Sequence, residues 1–195
     1  MRIRVTLGYS AFLAIALFAA GFFCRSYIQQ QAQQSAMSAL EADWGATQGY
    51  LRLEHQVPVW SYDHRNPDEA YTVERLRHIY LLANEDGNPL EYSTIYDSMG
   101  VDAPQAIQSL LREGSPVYLH RKDKDGIPYL ILASSTHDSE GRKYFLAIGR
   151  SLAIANRTVA AFTQTYLLLS AALLLAAAAF SWWLSGLAAQ EEKPL

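Results

Sequence analysis

Two stretches decide the fold of this chain: VTLGYSAFLAIALFAAGFFC at residues 5–24 and VAAFTQTYLLLSAALLLAAAAFSWWL at residues 159–184. Each meets the ~20 predominantly apolar residues needed to cross a hydrocarbon core ~30 Å thick. Lipid offers no partner to backbone N–H and C=O groups, so each stretch is expected to be a helix that satisfies them internally. Two crossings put residues 1–4 and 185–195 on one side and residues 25–158 on the other.

The flanks set the orientation. Arg2 and Arg4 precede the first span with no acidic residue nearby, which keeps the N-terminus cytoplasmic and sends the central region outward. Arg25 after the first span and Arg157 before the second act against this, and the tail offers only Lys193, since Glu191 and Glu192 count little in this rule. The first stretch also has the basic start and apolar run of a signal peptide. However, it continues through Phe22 and Phe23, past the small residues Ala19, Ala20 and Gly21, and this favours an uncleaved span. Tyr9, Tyr27, Tyr166, Trp182 and Trp183 lie near the span ends, where amphipathic aromatics favour the headgroup level. Ser170, Ala172 and Ala176 are small enough for close helix packing, although alanine is also simply common in spans.

Residues 27–158 carry 12 Lys/Arg against 17 Asp/Glu, a net charge of −5 that disfavours nucleic acid as a partner. Cys24 is the single cysteine, so no disulfide forms within the chain and the central domain relies on its core.

The stretch after Arg25 lacks Gly and Pro up to residue 43, with Ile28, Ala32, Ala36, Ala39, Leu40 and Trp44 at helical spacing. It is expected to extend the first helix over residues 27–43, with the glutamine cluster at 29–34 as its solvated face. Gly45 and Gly49 then predict a change to extended structure across residues 50–62. Asn66-Pro67-Asp68-Glu69 is a helix start, with a cap, a proline at the first position and acids in the first turn. A strand over 78–82, the turn Asn84-Glu85-Asp86-Gly87-Asn88 and a partner strand over 89–93 form a hairpin. A helix capped by Asp102, with Pro104 in its first turn, ends at Gly114. Strands over 117–121, 129–134 and 144–150 follow, linked by the turns that end in Gly126 and Gly141. The predicted fold class is α+β: an antiparallel sheet of about five strands with helices on one face, flanked by two transmembrane helices.

Catalytic and metal chemistry find little purchase here. The spacings of His55, His64, His78, His120 and His137 (9, 14, 42 and 17 residues) match no metal motif. Gly-x-Ser-x-Gly, His-Glu-x-x-His and phosphate-cradling glycine loops are missing from the sequence. No catalytic residue, metal or cofactor is expected.

The basic N-terminus, outward helix, Pro-Asp-Glu helix and Asp-Gly hairpin are followed by the strands Gly126-Ile127-Pro128-Tyr129 and Tyr144-Phe145-Leu146-Ala147-Ile148-Gly149 and a Leu/Ala-rich second span. Together these resemble the input half of bacterial membrane-bound sensor histidine kinases. The resemblance implies a PAS-like sensor domain outside the inner membrane, signalling to a two-component system as a homodimer, with a kinase or response regulator as partner. The stimulus would be a small molecule or a protein. It further implies that residues 185–195 open a HAMP linker, with the phosphoacceptor and nucleotide-binding domains lacking. On that expectation the chain is a truncated kinase, a split partner or a free-standing adaptor, and a non-catalytic envelope adaptor is the alternative function. In such a sensor Trp60, Tyr62, Tyr80, Tyr92, Arg121 and Tyr129 would bound a ligand pocket, with Arg75, Arg77 and Arg121 available to an anion. The same aromatics, with Tyr118 and Tyr144, also read as an ordinary sheet core. Trp44, Gly149 and Arg150 would relay motion to the membrane.

Overall fold

The computed structural model describes residues 2–54 and 57–190, with side chains described over 11–53 and 57–183. His55, Glu191, Glu192 and Lys193 fall outside the described residues, as do the side chains of Arg2, Arg4 and Tyr9, so the expectations placed on them are not addressed below.

Twelve elements follow one another: α1 (Arg2–Tyr50), β1 (Leu51–Glu54), β2 (Val57–Trp60), α2 (Pro67–Arg77), β3 (Tyr80–Ala83), β4 (Pro89–Tyr92), α3 (Thr94–Met99), α4 (Pro104–Glu113), β5 (Val117–Lys122), β6 (Pro128–His137), β7 (Lys143–Ser151) and α5 (Ala153–Gln190). They divide into two units, residues 1–32 with 155–195, and residues 33–154.

The first unit contains the two apolar helices. Both α1 and α5 are long and apolar enough to cross a membrane. Many of their large side chains are exposed, among them Phe12, Phe18, Phe23, Leu169, Leu175 and Trp182. Where the helices meet, the Tyr166 hydroxyl donates to the Leu17 carbonyl at 2.6 Å. Tyr166 therefore serves helix pairing through its polar tip, and its ring occupies the space that a side chain on Gly21 would need. Ser170 lines the groove between the helices, whereas Ala172 and Ala176, which the sequence grouped with it, are exposed.

The second unit is α+β, as expected. Its main sheet has five antiparallel strands in the order β4-β3-β7-β6-β5. Hairpins join β3 to β4 and β5 through β7 into a meander, and β3 closes the sheet against β7, with Tyr80 opposite Ile148. Strand β3 is buried at every position, and β6 and β7 each carry a run of consecutive buried residues, Tyr129 to Ala133 and Tyr144 to Ile148. A strand buried at alternate residues needs cover on one face, whereas these need it on both. One face carries Ile79, Leu81, Ile131, Phe145 and Ala147 and packs against Tyr96 of α3 and Ile107 and Leu111 of α4. The opposite face carries Tyr80, Leu82, Leu130, Leu132, Tyr144, Leu146 and Ile148. It is closed by Leu40, Ala36, Met37 and Trp44 of α1 together with β1 and β2, which form a separate two-stranded sheet.

That cover accounts for the main departure from the sequence-based boundaries. Helix α1 does not stop at residue 43 but runs through Gly45 and Gly49 to Tyr50, so Trp44 is helical. Each glycine costs a helix interior about 1 kcal/mol relative to alanine. Burying Leu40 completely offsets about 2 kcal/mol or more, and the fully buried Thr47 hydroxyl bonds back to the Asp43 carbonyl at 2.7 Å. Asp102 is likewise not a helix cap. Ala103 occupies the cap of α4, with no side-chain bond, while Asp102 accepts from the Tyr96 hydroxyl at 2.7 Å and from Arg121. A short helix that the sequence reading lacked, α3, is started by Ser93, whose Oγ accepts from the Tyr96 N–H at 3.2 Å.

Two glycines separate packing from propensity. A Cβ on Gly149 would press into the Ile79 and Ile131 side chains, while one on Gly45 would meet nothing. Gly149→Ala is expected to destabilise the folded chain by about 1–3 kcal/mol, as overpacking does. Gly45→Ala is expected to stabilise it by about 0.5–1 kcal/mol. Chemical denaturation of the full chain in micelles, followed by circular dichroism, checks both signs.

Candidate ligand-binding cleft

Within the sheet unit, α2 supplies one wall of a cleft lined by both polar and apolar side chains. Its start is fixed as the sequence predicts: the Asn66 side chain accepts from the Asp68 N–H at 3.1 Å, and the Glu69 carboxylate accepts from Asn66 Nδ2 and from the Asp63 N–H. From that start, Ala70, Val73, Glu74 and Arg77 fall at helical spacing on one face. Val73 and Leu76 are buried and hold the helix down, leaving Glu74 and Arg77 at the cleft. The facing wall is Tyr80 of β3, Glu91 and Tyr92 of β4, and the corner Ser93-Thr94-Ile95 leading into α3; Tyr62 contributes from the segment before α2. The cleft encloses about 600 Å³, within the range of small-molecule sites.

The corner is held by Ser93, whose N–H donates to the Tyr80 carbonyl at 2.9 Å while its Oγ accepts from the Tyr80 N–H at 3.2 Å. Arg77 donates to Glu91 at 3.2 Å and lies over the Trp60 ring, 5.9 Å from its centroid. Trp60 stands edge-on to Tyr80, with centroids 5.6 Å apart and planes at 89°. Its indole nitrogen is buried and has no hydrogen-bond acceptor among the described residues. Tyr62 packs on His64 at 4.2 Å. Burial, then the neighbouring Glu91 carboxylate, push the Tyr80 hydroxyl well above the ordinary tyrosine range, against a smaller opposing effect of Arg77.

Of the expected ligand residues, the structure brings Tyr62, Tyr80 and Tyr92 to this cleft, with Trp60 packed beside Tyr80. Arg121 and Tyr129 lie elsewhere. Arg121 donates to the Gly100 carbonyl at 2.9 Å and to Asp102, and it covers the ring of the fully buried Tyr96. Tyr129 is buried, and its hydroxyl donates to Asp123 at 3.0 Å. Both tie loops to the sheet. Burial first, then Asp102, raises the Tyr96 hydroxyl strongly.

The three residues expected to relay motion are placed as follows. Trp44 packs at the margin of the α1-covered face, and the Gly149 N–H donates to the Ile79 carbonyl at 2.8 Å. Arg150 reaches Asp43 of α1 at 3.4 Å, and Asp43 is also engaged by Arg75 of α2. The sequence reading missed Glu74 and Glu91 as cleft residues. The spacing of Ala70, Val73, Glu74 and Arg77 could have flagged Glu74, but nothing in the sequence pairs Glu91 with Arg77.

No family model matches this sequence, and no curated protein does. Solved structures similar to it include the PAS domain of an HTR-like protein from Haloarcula marismortui. That match has 16% identity, covers 46% of this chain and 99% of that one, and has a TM-score of 0.29. An RNA-binding light-oxygen-voltage receptor is similar at 12% identity over 55% of this chain and 39% of that one, with a TM-score of 0.32. A Vibrio cholerae VqmA dimer is similar at 13% identity over 46% and 52%, with a TM-score of 0.35.

The raised tyrosines set an alkaline limit on stability. Unfolded tyrosines ionise near pH ~10, before Tyr80 and Tyr96 do in the folded chain. The unfolded state then binds fewer protons, so the stability these two groups contribute is intact below pH ~10 and is lost as pH rises beyond it. Tyrosinate absorbance of the full chain should show that the hydroxyls ionising only with unfolding include those of Tyr80 and Tyr96, and Tyr80→Phe should lower their number by one.

Proposed function

We propose that this chain is a two-pass protein of the bacterial inner membrane and an input module for two-component signalling. Residues 1–4 and 185–195 lie in the cytoplasm, residues 5–24 and 159–184 span the bilayer, and residues 25–158 face the periplasm as a PAS-like sensor. The observation that carries the reading is the pairing of two apolar-surfaced helices with a separate α+β unit inserted between them in sequence. That unit offers an aromatic and charged cleft and no catalytic motif. Arg2 and Arg4, ahead of the first apolar span, support the orientation.

In this reading the chain acts as a homodimer, passing its signal to a histidine kinase or response regulator. A stimulus acts by binding one arrangement of the domain better than another. Its effect travels through Trp44 and Asp43 on α1 and through Gly149 and Arg150 on β7. Helix α1 reaches the sheet as one continuous element, and a single residue, Leu152, separates β7 from α5. Asp43 bridges α1, α2 and β7 through Arg75 and Arg150, which makes it the contact most exposed to any shift among them.

The test is a chimera in which residues 1–190 replace the input half of a well-behaved histidine kinase that drives a transcriptional reporter. Asp43→Ala removes both ion pairs and is expected to shift basal output by up to about fivefold for each, the bias that a partly exposed pair of ~1 kcal/mol can set. Output identical to that of a chimera bearing the two spans alone contradicts the sensor reading and favours an envelope adaptor. For topology, a fluorescent protein fused after residue 190 should fluoresce, and alkaline phosphatase at the same place should be inactive.

A further inference from the structure

The cleft's charges are not equally occupied. Arg77 is committed twice, to Glu91 at 3.2 Å and to the Trp60 ring. Glu74 lines the same cleft from α2, is exposed, and makes no ion pair or hydrogen bond among the described residues. Tyr62, Tyr80 and Tyr92 line the same cleft, and Tyr92 is 47% exposed. An anion would have to draw Arg77 away from Glu91 and then sit beside two carboxylates. A metal ion would find one free carboxylate and the His78 imidazole, fewer donors than a closed site needs. A positive charge finds a free carboxylate and tyrosine rings in the same cleft, and aromatic rings attract cations.

We infer that the cleft takes a small organic cation, an amine or quaternary ammonium, seated between the Glu74 carboxylate and the rings of Tyr62 and Tyr92. This rests on the cleft being the ligand site of the sensor reading, and it specifies the ligand's chemistry. The volume of about 600 Å³ admits a ligand larger than a bare tetramethylammonium ion, so an aryl-substituted ammonium should bind more tightly. Arg77 lines the same cleft but has its charge engaged by Glu91 and the Trp60 ring.

The experiment uses the full chain in maltoside micelles, which carry no ammonium group, at constant ionic strength. Benzyltrimethylammonium and tetramethylammonium are the probes, with tert-butanol as the neutral isostere of the smaller cation and acetate as the anion, all read by calorimetry. Saturable binding of both cations, the benzyl compound the tighter, is expected. Glu74→Gln should weaken it about fivefold to tenfold, and Tyr92→Ala should weaken it about twofold to fivefold, while Tyr92→Phe retains it. Glu74 and Tyr92 are exposed, so these variants should fold, with circular dichroism as the check. Three results would each overturn the inference: neither cation saturates; tert-butanol matches tetramethylammonium; or Glu74→Gln leaves affinity unchanged. Saturable acetate binding that Tyr62→Ala abolishes would overturn the cation while keeping the cleft. The reporter chimera responds to Asp43→Ala with no ligand present, so failure of the sensor reading shows there and not in this titration.

Discussion

The five-stranded sheet of this protein is apolar on both faces, and the domain exists only because both are covered. Leu81, Ile131, Phe145 and Ala147 are sealed by α3 and α4, while Tyr80, Leu82, Leu130, Leu146 and Ile148 are sealed by α1 together with β1 and β2. Leu40 sits at the centre of the second seal with no exposed surface. The far end of α1 is therefore not a stalk on which a finished domain stands. It is one of the layers of the domain, and the two helix-interior glycines at 45 and 49 are tolerated because that layer has to continue.

Polar contacts follow the same plan. The Tyr118 hydroxyl of β5 donates to Glu41 at 2.7 Å, and Arg75 and Arg150 converge on Asp43. Exposed ion pairs contribute little individually, about 0–1 kcal/mol, so these contacts set the position of α1 on the sheet more than they hold it there. Holding comes from apolar burial. The pair of Asp102 and Arg121 differs in kind, since Asp102 is nearly buried and also serves the Tyr96 hydroxyl. Losing either partner would strand a buried polar group, which costs more than an exposed pair contributes.

Much of this was legible in the sequence where local chemistry decides the outcome. Asn66-Pro67-Asp68-Glu69 does start a helix, and the Asp-Gly turn at 86–87 closes a hairpin, with Gly87 at φ +80°. The runs 79–83, 129–133 and 144–148, apolar at every position, already carried the demand for cover on both faces, because alternation is what a half-exposed strand shows. What remained hidden depends on partners far away in the chain. Gly45 and Gly49 look like stops until Leu40 and Thr47 are seen buried. Asp102 looks like a helix cap until Tyr96 and Arg121 are found beside it. Tyr62, Tyr80 and Tyr92 do share a cleft, while Arg121 and Tyr129 were grouped with them by residue type alone and are taken up by Asp102 and Asp123. The charges that complete the cleft, Glu74, Arg77 and Glu91, meet only through the packing of α2 beside β4.

Amide hydrogen exchange of the full chain in micelles tests most directly whether the end of α1 is a layer of the domain. Amides at residues 36–47 should exchange as slowly as those of β6 and β7, and Leu40→Asp should release all three regions together, as one cooperative unit does. Rapid exchange at 36–47 beside a protected β6 and β7, or a Leu40→Asp chain whose sheet stays protected, would contradict it.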